Sequence, residues 1–197
     1  MATKRRWLTW TLIVLAAVIL PATAWVLVLR QRGLEDIIPG PVATLTVSSP
    51  SIPESGMIPA QFTCKGAGMS PPLTISGLPA GTKSLAILAD DADAPLGFVH
   101  WIAFNLPPDL LQIAEGAGSA PGQLRGGLGG ANDFGTNTYA GPCPPTGTHR
   151  YRFHVYAVDM VLPLHEGATK QQLSAAATNH VLAEGTLTGK YSRRPEP

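Results

Sequence analysis

Read as a pattern of apolar and polar positions, the chain falls into two unequal parts. Residues 7–29 hold no charged side chain. Beyond about residue 42 the apolar positions come in short runs, broken every few residues by glycine, proline, serine or asparagine. Runs of that length predict strands. Residues 43–47 alternate and are rich in Thr and Val, residues 84–89 form a short apolar run, residues 99–106 a longer aromatic one, and residues 150–158 alternate strongly. Turn-rich stretches such as Ser70-Pro71-Pro72 and Gly141-Pro142-Cys143-Pro144-Pro145 lie between them. The spacing turns helical once. Thr169 and Gln172 form a capping-box pair, Leu173, Ala176, Ala177, His180 and Val181 recur on one face, and Gly185 is placed to end the helix before a last strand over residues 186–191. The glycine-rich stretch 115–147 carries few large apolar side chains and reads as a long loop.

As a helix, residues 7–29 would span about 35 Å, enough to cross a bilayer. Lys4, Arg5 and Arg6 precede the run, and Trp7, Trp10 and Trp25 sit near its ends, as interfacial residues do. The leading positive charges predict a cytoplasmic N-terminus with the rest of the chain outside. A cleaved signal peptide is the alternative, because Ala22-Thr23-Ala24 has the form of a cleavage site. The apolar run continues past that point to Leu29, which favours an uncleaved anchor. The remainder is extracytoplasmic in both readings, membrane-anchored in the first and secreted or periplasmic in the second. The expected organisation is an anchor or signal segment over 1–33, a linker over 34–44, one domain over 45–192 and a tail over 193–197.

Composition narrows the class of that domain. The 21 glycines and 19 prolines are too many for a helical bundle, and 45% hydrophobic residues are too many for a disordered chain. A mainly β fold is expected. The formal net charge of +1 hides an asymmetry, since residues 34–197 carry nine basic against 13 acidic side chains, a net charge of −4. A mildly acidic domain has no basic face for nucleic acid and no general attraction to anionic lipid. Both cysteines, Cys64 and Cys143, lie in this part. An even count in an oxidising compartment predicts a disulfide between them, with two buried thiols as the alternative.

Three clusters are candidates for chemistry. Asp90, Asp91 and Asp93 follow an apolar strand directly, where carboxylates either accept hydrogen bonds from a ligand or bond the backbone of a turn. His100 lies in an aromatic strand, and a period of two places it with Phe98, Ile102 and Phe104. His149 and Tyr151 share a face with Phe153 and Val155, opposite Arg150, Arg152, His154 and Tyr156. A His and a Tyr at the edge of an apolar floor can hold a small anion, although a buried Tyr that satisfies its own hydroxyl is equally ordinary. No nucleophile stands beside a base, no metal-binding spacing occurs, and no phosphate-loop, Gly-x-Ser-x-Gly or Cys-x-x-Cys motif is present.

In their shared order these pieces resemble the phosphatidylethanolamine-binding protein (PEBP) family, in its bacterial and archaeal, Raf-kinase-inhibitor-like branch. Phe62-Thr63-Cys64 is followed by Ser70-Pro71-Pro72-Leu73, Gly81-Thr82-Lys83-Ser84, Asp91-Ala92-Asp93-Ala94-Pro95, Phe98-Val99-His100-Trp101, Asn132-Asp133-Phe134-Gly135, Tyr139-Ala140-Gly141-Pro142-Cys143 and His149-Arg150-Tyr151. A helix end over residues 181–184 closes the series. The resemblance covers roughly residues 45–191. It implies an antiparallel β-sandwich of the PEBP type with one or two short helices, here preceded by the single N-terminal transmembrane helix. It also implies a pocket for phosphate or phosphorylated head groups at Asp91, His100 and His149, with Asp93, Gly141, Pro142 and Tyr151 beside them. One departure is visible: the family's Asp-Pro-Asp-Ala-Pro has Ala92 in place of its first proline, so the turn loses a rigid φ.

The chemistry is coherent in its own terms. Two imidazoles and nearby backbone N–H groups can donate to phosphate oxygens, and a carboxylate beside a His favours its cation and fixes its orientation. The expectation is a non-enzymatic binding protein with no cofactor and no metal. Its partners would be a small anionic ligand, the membrane through the N-terminal helix, and a protein that it regulates or inhibits. The resemblance implies kinase or protease inhibition, but a cytosolic kinase is out of reach of an extracytoplasmic domain. A hydrolase of a small phosphoester and an envelope protein with a relic pocket are the alternatives. Asp91, His100 and His149 should line one shallow cavity, with Tyr151 on its floor and loop 141–145 at its rim.

Overall fold

The computed structural model describes residues 42–94, 97–120 and 122–193. The expected membrane helix, most of the linker and residues 194–197 lie outside them. Among the described residues no helix is long and apolar enough to cross a membrane. The strands are β1 (Ala43–Thr44), β2 (Thr46–Ser48), β3 (Gly56–Met57), β4 (Leu73–Ser76), β5 (Ser84–Asp91), β6 (Phe98–Leu106), β7 (Gln112–Ile113), β8 (Leu128–Gly130), β9 (Thr148–Val158) and β10 (Val181–Ser192). One α-helix, α1 (Lys170–Ala177), precedes β10, and a 3-10 turn spans Ala60–Phe62. The large sheet runs β1-β10-β9-β5-β6-β8 with β3 also on β10, and β2-β4-β7 form a small sheet.

The large sheet is buried on both faces. Leu45, Val47, Ile75 and Ile113 from the small-sheet side pack on Leu85, Ile87, Trp101, Phe153 and Val155. On the other face Leu162, Ala168, Leu173 and Ala177 cover Leu88, Ile102, Phe104, Tyr156 and Val158. Every residue of β5 is therefore buried, which is why its sequence reads as an unbroken apolar run rather than an alternating one. Each large side chain so buried contributes roughly 1.5–3 kcal/mol of transfer free energy.

The sheet is not wholly antiparallel. β1 and β3 pair with β10 in parallel, and the remaining pairings are antiparallel. The chain leaves the large sheet at Leu45, contributes β2 to the small sheet, and returns at Gly56 to the same edge of β10. Gly185 permits the crossing, because a Cβ there would stand 2.5 Å from the Leu45 carbonyl oxygen. Ala43 and Thr44, assigned to the linker from the sequence, already belong to the domain as β1.

Two further expectations are corrected. The capping box at Thr169 and Gln172 is present, but the helix stops at Ala177 instead of running to Gly185. Thr178 turns its hydroxyl back onto the Ser174 carbonyl, Asn179 takes a left-handed φ of 65°, and Val181 already pairs with Val158. Residues 181–184 are thus strand: the long ladder with β9 outweighs their helical spacing. The glycine-rich stretch also contains β8, paired with β6. A Cβ at Gly129 would collide with the Asn137 carbonyl, and one at Gly130 with Ile102. Glycine there marks close approach of neighbouring segments, not a free loop.

Candidate functional site

At one end of the sheet, polar side chains replace the apolar floor between the two layers. Asp91 closes β5 and pairs with Tyr151 of β9. His149 lies two residues before Tyr151 and so on the same face. Its Nδ1 lies 2.7 Å from Asp91 Oδ2. An ionised carboxylate only accepts, so Nδ1 carries the proton and donates. The other oxygen, Oδ1, accepts from the backbone N–H of Asp93 and of Ala94, both at 3.0 Å. The carboxylate is therefore fixed by the turn and in turn fixes the imidazole. The His149 and Tyr151 rings stack with centroids 6.5 Å apart.

A bulge delivers the second imidazole. Ala89 pairs with Trp101 and Asp90 with Val99, which leaves His100 as the extra residue of β6. Regular alternation would have grouped His100 with Ile102 and Phe104, but those two pack in the opposite core. His100 instead meets Tyr151 edge-on at 5.3 Å, with Phe98 and Phe134 at 5.5 and 5.4 Å. Its Nδ1 lies 2.8 Å from the Ala140 carbonyl, so this ring also donates through Nδ1. Burial holds its pKa below the ordinary histidine value, which favours the neutral ring with an accepting Nε2. Nε2 of His100 and Nε2 of His149 have no hydrogen-bond partner among the described residues, and neither is sealed from solvent. The Tyr151 hydroxyl, by contrast, is sealed from solvent and lies beside the Asp91 carboxylate and the Cys143 backbone. Burial and the adjacent Asp91 charge push its pKa far up, so it stays protonated.

The neighbouring loop is pinned from below. The Cys64–Cys143 disulfide is formed, with Cα atoms 5.5 Å apart. Cys64 N–H donates to the Pro142 carbonyl at 3.1 Å, and the Tyr139 hydroxyl donates to the Phe62 carbonyl at 2.8 Å. Gly141 is packed so tightly that a Cβ would lie 2.8 Å from the Phe62 carbonyl oxygen and the Thr63 backbone. The loop thereby holds the Ala140 carbonyl where it orients His100. The turn after β5 is tied down as well. Ala92 N–H donates to the Arg150 carbonyl at 2.9 Å, a bond that proline at this position would forfeit.

The structure brings Asp91, His149, Tyr151 and His100 together, with the 140–143 loop alongside. Asp93, also expected among the ligand contacts, is ion-paired with Arg150. Its carboxylate takes Arg150 Nη2 at 2.6 Å, Nε at 3.0 Å and the Arg150 backbone N–H at 2.7 Å, and these bonds hold its pKa at about 2. It thereby braces the turn after β5. An open cleft of about 500 Å³ next to this region is lined not by the histidines but by Lys65, Pro145, Thr146, Gly147 and Arg193.

Sequence reasoning assigned no role to Phe134, which is 53% exposed and forms a wall against Phe98 and His100. Asn132 builds its turn by accepting from the Phe134 and Thr136 N–H groups, and Asp133 accepts from Val99 N–H at 2.7 Å. The only sequence signal was the Asn132-Asp133-Phe134-Gly135 motif itself. Asp90, buried on the opposite face, binds Arg152 Nε and Nη2 at 3.0 and 2.9 Å with His154 at 3.6 Å. Burial opposes its charge, but the neighbouring His154 and the hydrogen bonds from Arg152 keep its pKa at about 2. Among the described residues no three His, Cys, Asp or Glu side chains converge as metal ligands would.

The chain is similar to known proteins over most of the described domain. The family model for phosphatidylethanolamine-binding protein matches residues 48–192. A UPF0098 protein of Methanothermobacter thermautotrophicus is 46% identical over 141 residues, covering 71% of this chain and 93% of that protein. LppC of Mycobacterium tuberculosis, named as a lipoprotein, is 41% identical over 166 residues, covering 82% of this chain and 80% of its own. The crystal structure of a PEBP homolog from Chlamydia trachomatis superposes with a TM-score of 0.71 at 37% identity, over 77% of this chain and 99% of that one. The ordered motifs, the two-layer sheet with its bulge at His100 and these matches lead to one assignment: the chain belongs to the phosphatidylethanolamine-binding protein family.

Proposed function

We propose that the protein is a non-enzymatic binding protein whose Asp91–His149–His100–Tyr151 site takes phosphate or a phosphorylated head group. One observation carries the reading: both imidazoles are oriented through Nδ1, and both keep an Nε2 that has no partner among the described residues and is not sealed from solvent. Asp91 fixes the His149 ring through Nδ1, and in the doubly protonated ring Nε2 is a donor to an anionic oxygen. His100, neutral through burial, offers a lone pair to a phosphate O–H. One donor beside one acceptor suits a monoprotonated phosphate better than a halide or a carboxylate. Titrating inorganic phosphate and phosphoethanolamine into the protein and its His→Ala variants by calorimetry tests the assignment.

The Asp91–His149 pair also favours a second reading, because an Asp-oriented imidazole can accept a proton from water during phosphoester hydrolysis. Turnover of a phosphomonoester that disappears in His149→Ala would support that alternative.

The domain acts outside the cytoplasm on an N-terminal anchor in this proposal. Residues 7–29 and the lipoprotein name of the mycobacterial relative support that placement. A regulated partner protein would then be an envelope protein rather than a cytosolic kinase.

A further inference from the structure

The register of β9 and β10 locates the open cleft. His149 pairs with Tyr191 and Thr148 with Ser192, so Gly147 and Arg193 come next, about 7 Å from His149 along the strands. Lys65 reaches the same cleft from the other side, because the disulfide fastens Cys64 to Cys143. Among the described residues the lining holds two cations and no acid, although residues 34–197 carry a net charge of −4. The domain's other described arginines are engaged: Arg125 pairs with Asp109, Arg150 with Asp93 and Arg152 with Asp90. Lys65 and Arg193 make no ion pair or side-chain hydrogen bond among the described residues. Two like charges on one concavity repel, and an oxyanion between them relieves that repulsion. The guanidinium fork of Arg193, the Lys65 ammonium and the Thr146 hydroxyl provide directional donors for it. A side chain at Gly147, which has φ of 68°, would meet no atom within 4 Å, so backbone stands open on the cleft.

We propose that this cleft is a second anion site, separate from the histidine pocket, which takes a small phosphate-bearing ligand through Lys65 and Arg193. The proposal stands independently of the function assigned to the histidines. Its test uses the full chain in non-ionic detergent, with the Gly147 amide followed by NMR. Inorganic phosphate and short-chain phosphatidylglycerol are titrated separately, so that a free anion and a lipid head group are distinguished by which binds more tightly. A saturable Gly147 shift is expected with at least one of them. Lys65→Ala/Arg193→Ala should weaken it at least tenfold, while His149→Ala leaves it in place. Both replaced side chains are exposed, and a dispersed spectrum verifies that the variant is folded. Absence of a saturable shift with either probe overturns the proposal. So does equal affinity in the folded double variant, or loss of the shift in His149→Ala with none in the cleft variant, which would assign all binding to the histidine pocket.

Discussion

A histidine is aimed only when one of its nitrogens is engaged, and both site histidines engage Nδ1. The partner differs. His149 has a carboxylate, whereas His100 has a carbonyl and a buried setting that disfavours an added proton. The buried setting has a consequence for stability. Because the folded-state pKa of His100 is lowered, the unfolded chain binds a proton that the folded chain refuses in the window below the unperturbed value of about 6.5. Folding free energy tied to this ring is fully present above that value and is lost as pH falls through the window. Chemical denaturation of the wild type and His100→Gln between pH 5 and 7 should show their stability difference growing with pH. A difference that shrinks as pH rises would mean that His100 is cationic in the fold. Asp90 and Asp93 act in a separate range, since their stabilising ionisation is lost only as pH falls from the ordinary 3.8 towards about 2.

At the scale of elements, the site depends on two departures from regularity, the bulge in β6 and the clamped 140–143 loop. Constraining the 79-residue separation between Cys64 and Cys143 is worth about 4–5 kcal/mol in the chain-entropy model. Denaturant unfolding of Cys64→Ser/Cys143→Ser should show a loss of that order. A loss under about 1 kcal/mol would leave the clamp to the hydrogen bonds alone. Gly141→Ala should cost about 1–3 kcal/mol, since the added Cβ meets backbone that cannot rotate away. It should also perturb the His100 ring resonances through Ala140, and an unperturbed ring would separate the loop from the site. Part of this was legible beforehand. The apolar run at 84–89 and the alternation at 150–158 mark β5 and β9 because burial writes itself into side-chain type. The bulge at His100 was not legible: one extra residue leaves composition unchanged and reveals itself only against the partner strand. Residues 181–184 misled for a related reason, since local spacing carries no trace of the ladder with β9 that overrides it. The ion pair of Asp93 was not legible because its partner, Arg150, is 57 residues away.

For the whole molecule, the order of the motifs identified the family, while the sign of the charge was informative only after the first 33 residues were set aside. That division predicts a topology. External protease on intact cells should remove the domain and spare an N-terminal tag, whereas protection of the domain would reverse the orientation. The function assigned to the domain rests on the two open Nε2 atoms acting on one anion. Calorimetric titration of inorganic phosphate into the full chain, compared with His100→Ala, His149→Ala and the double variant, tests this most directly. Each single variant should lose about 1.5–3 kcal/mol, the range for a charge-assisted hydrogen bond, or roughly ten- to a hundredfold in affinity, and the double variant should bind no measurable phosphate at that site. Unchanged affinity in a folded double variant would contradict the account and leave Asp91, His100 and His149 as structural residues.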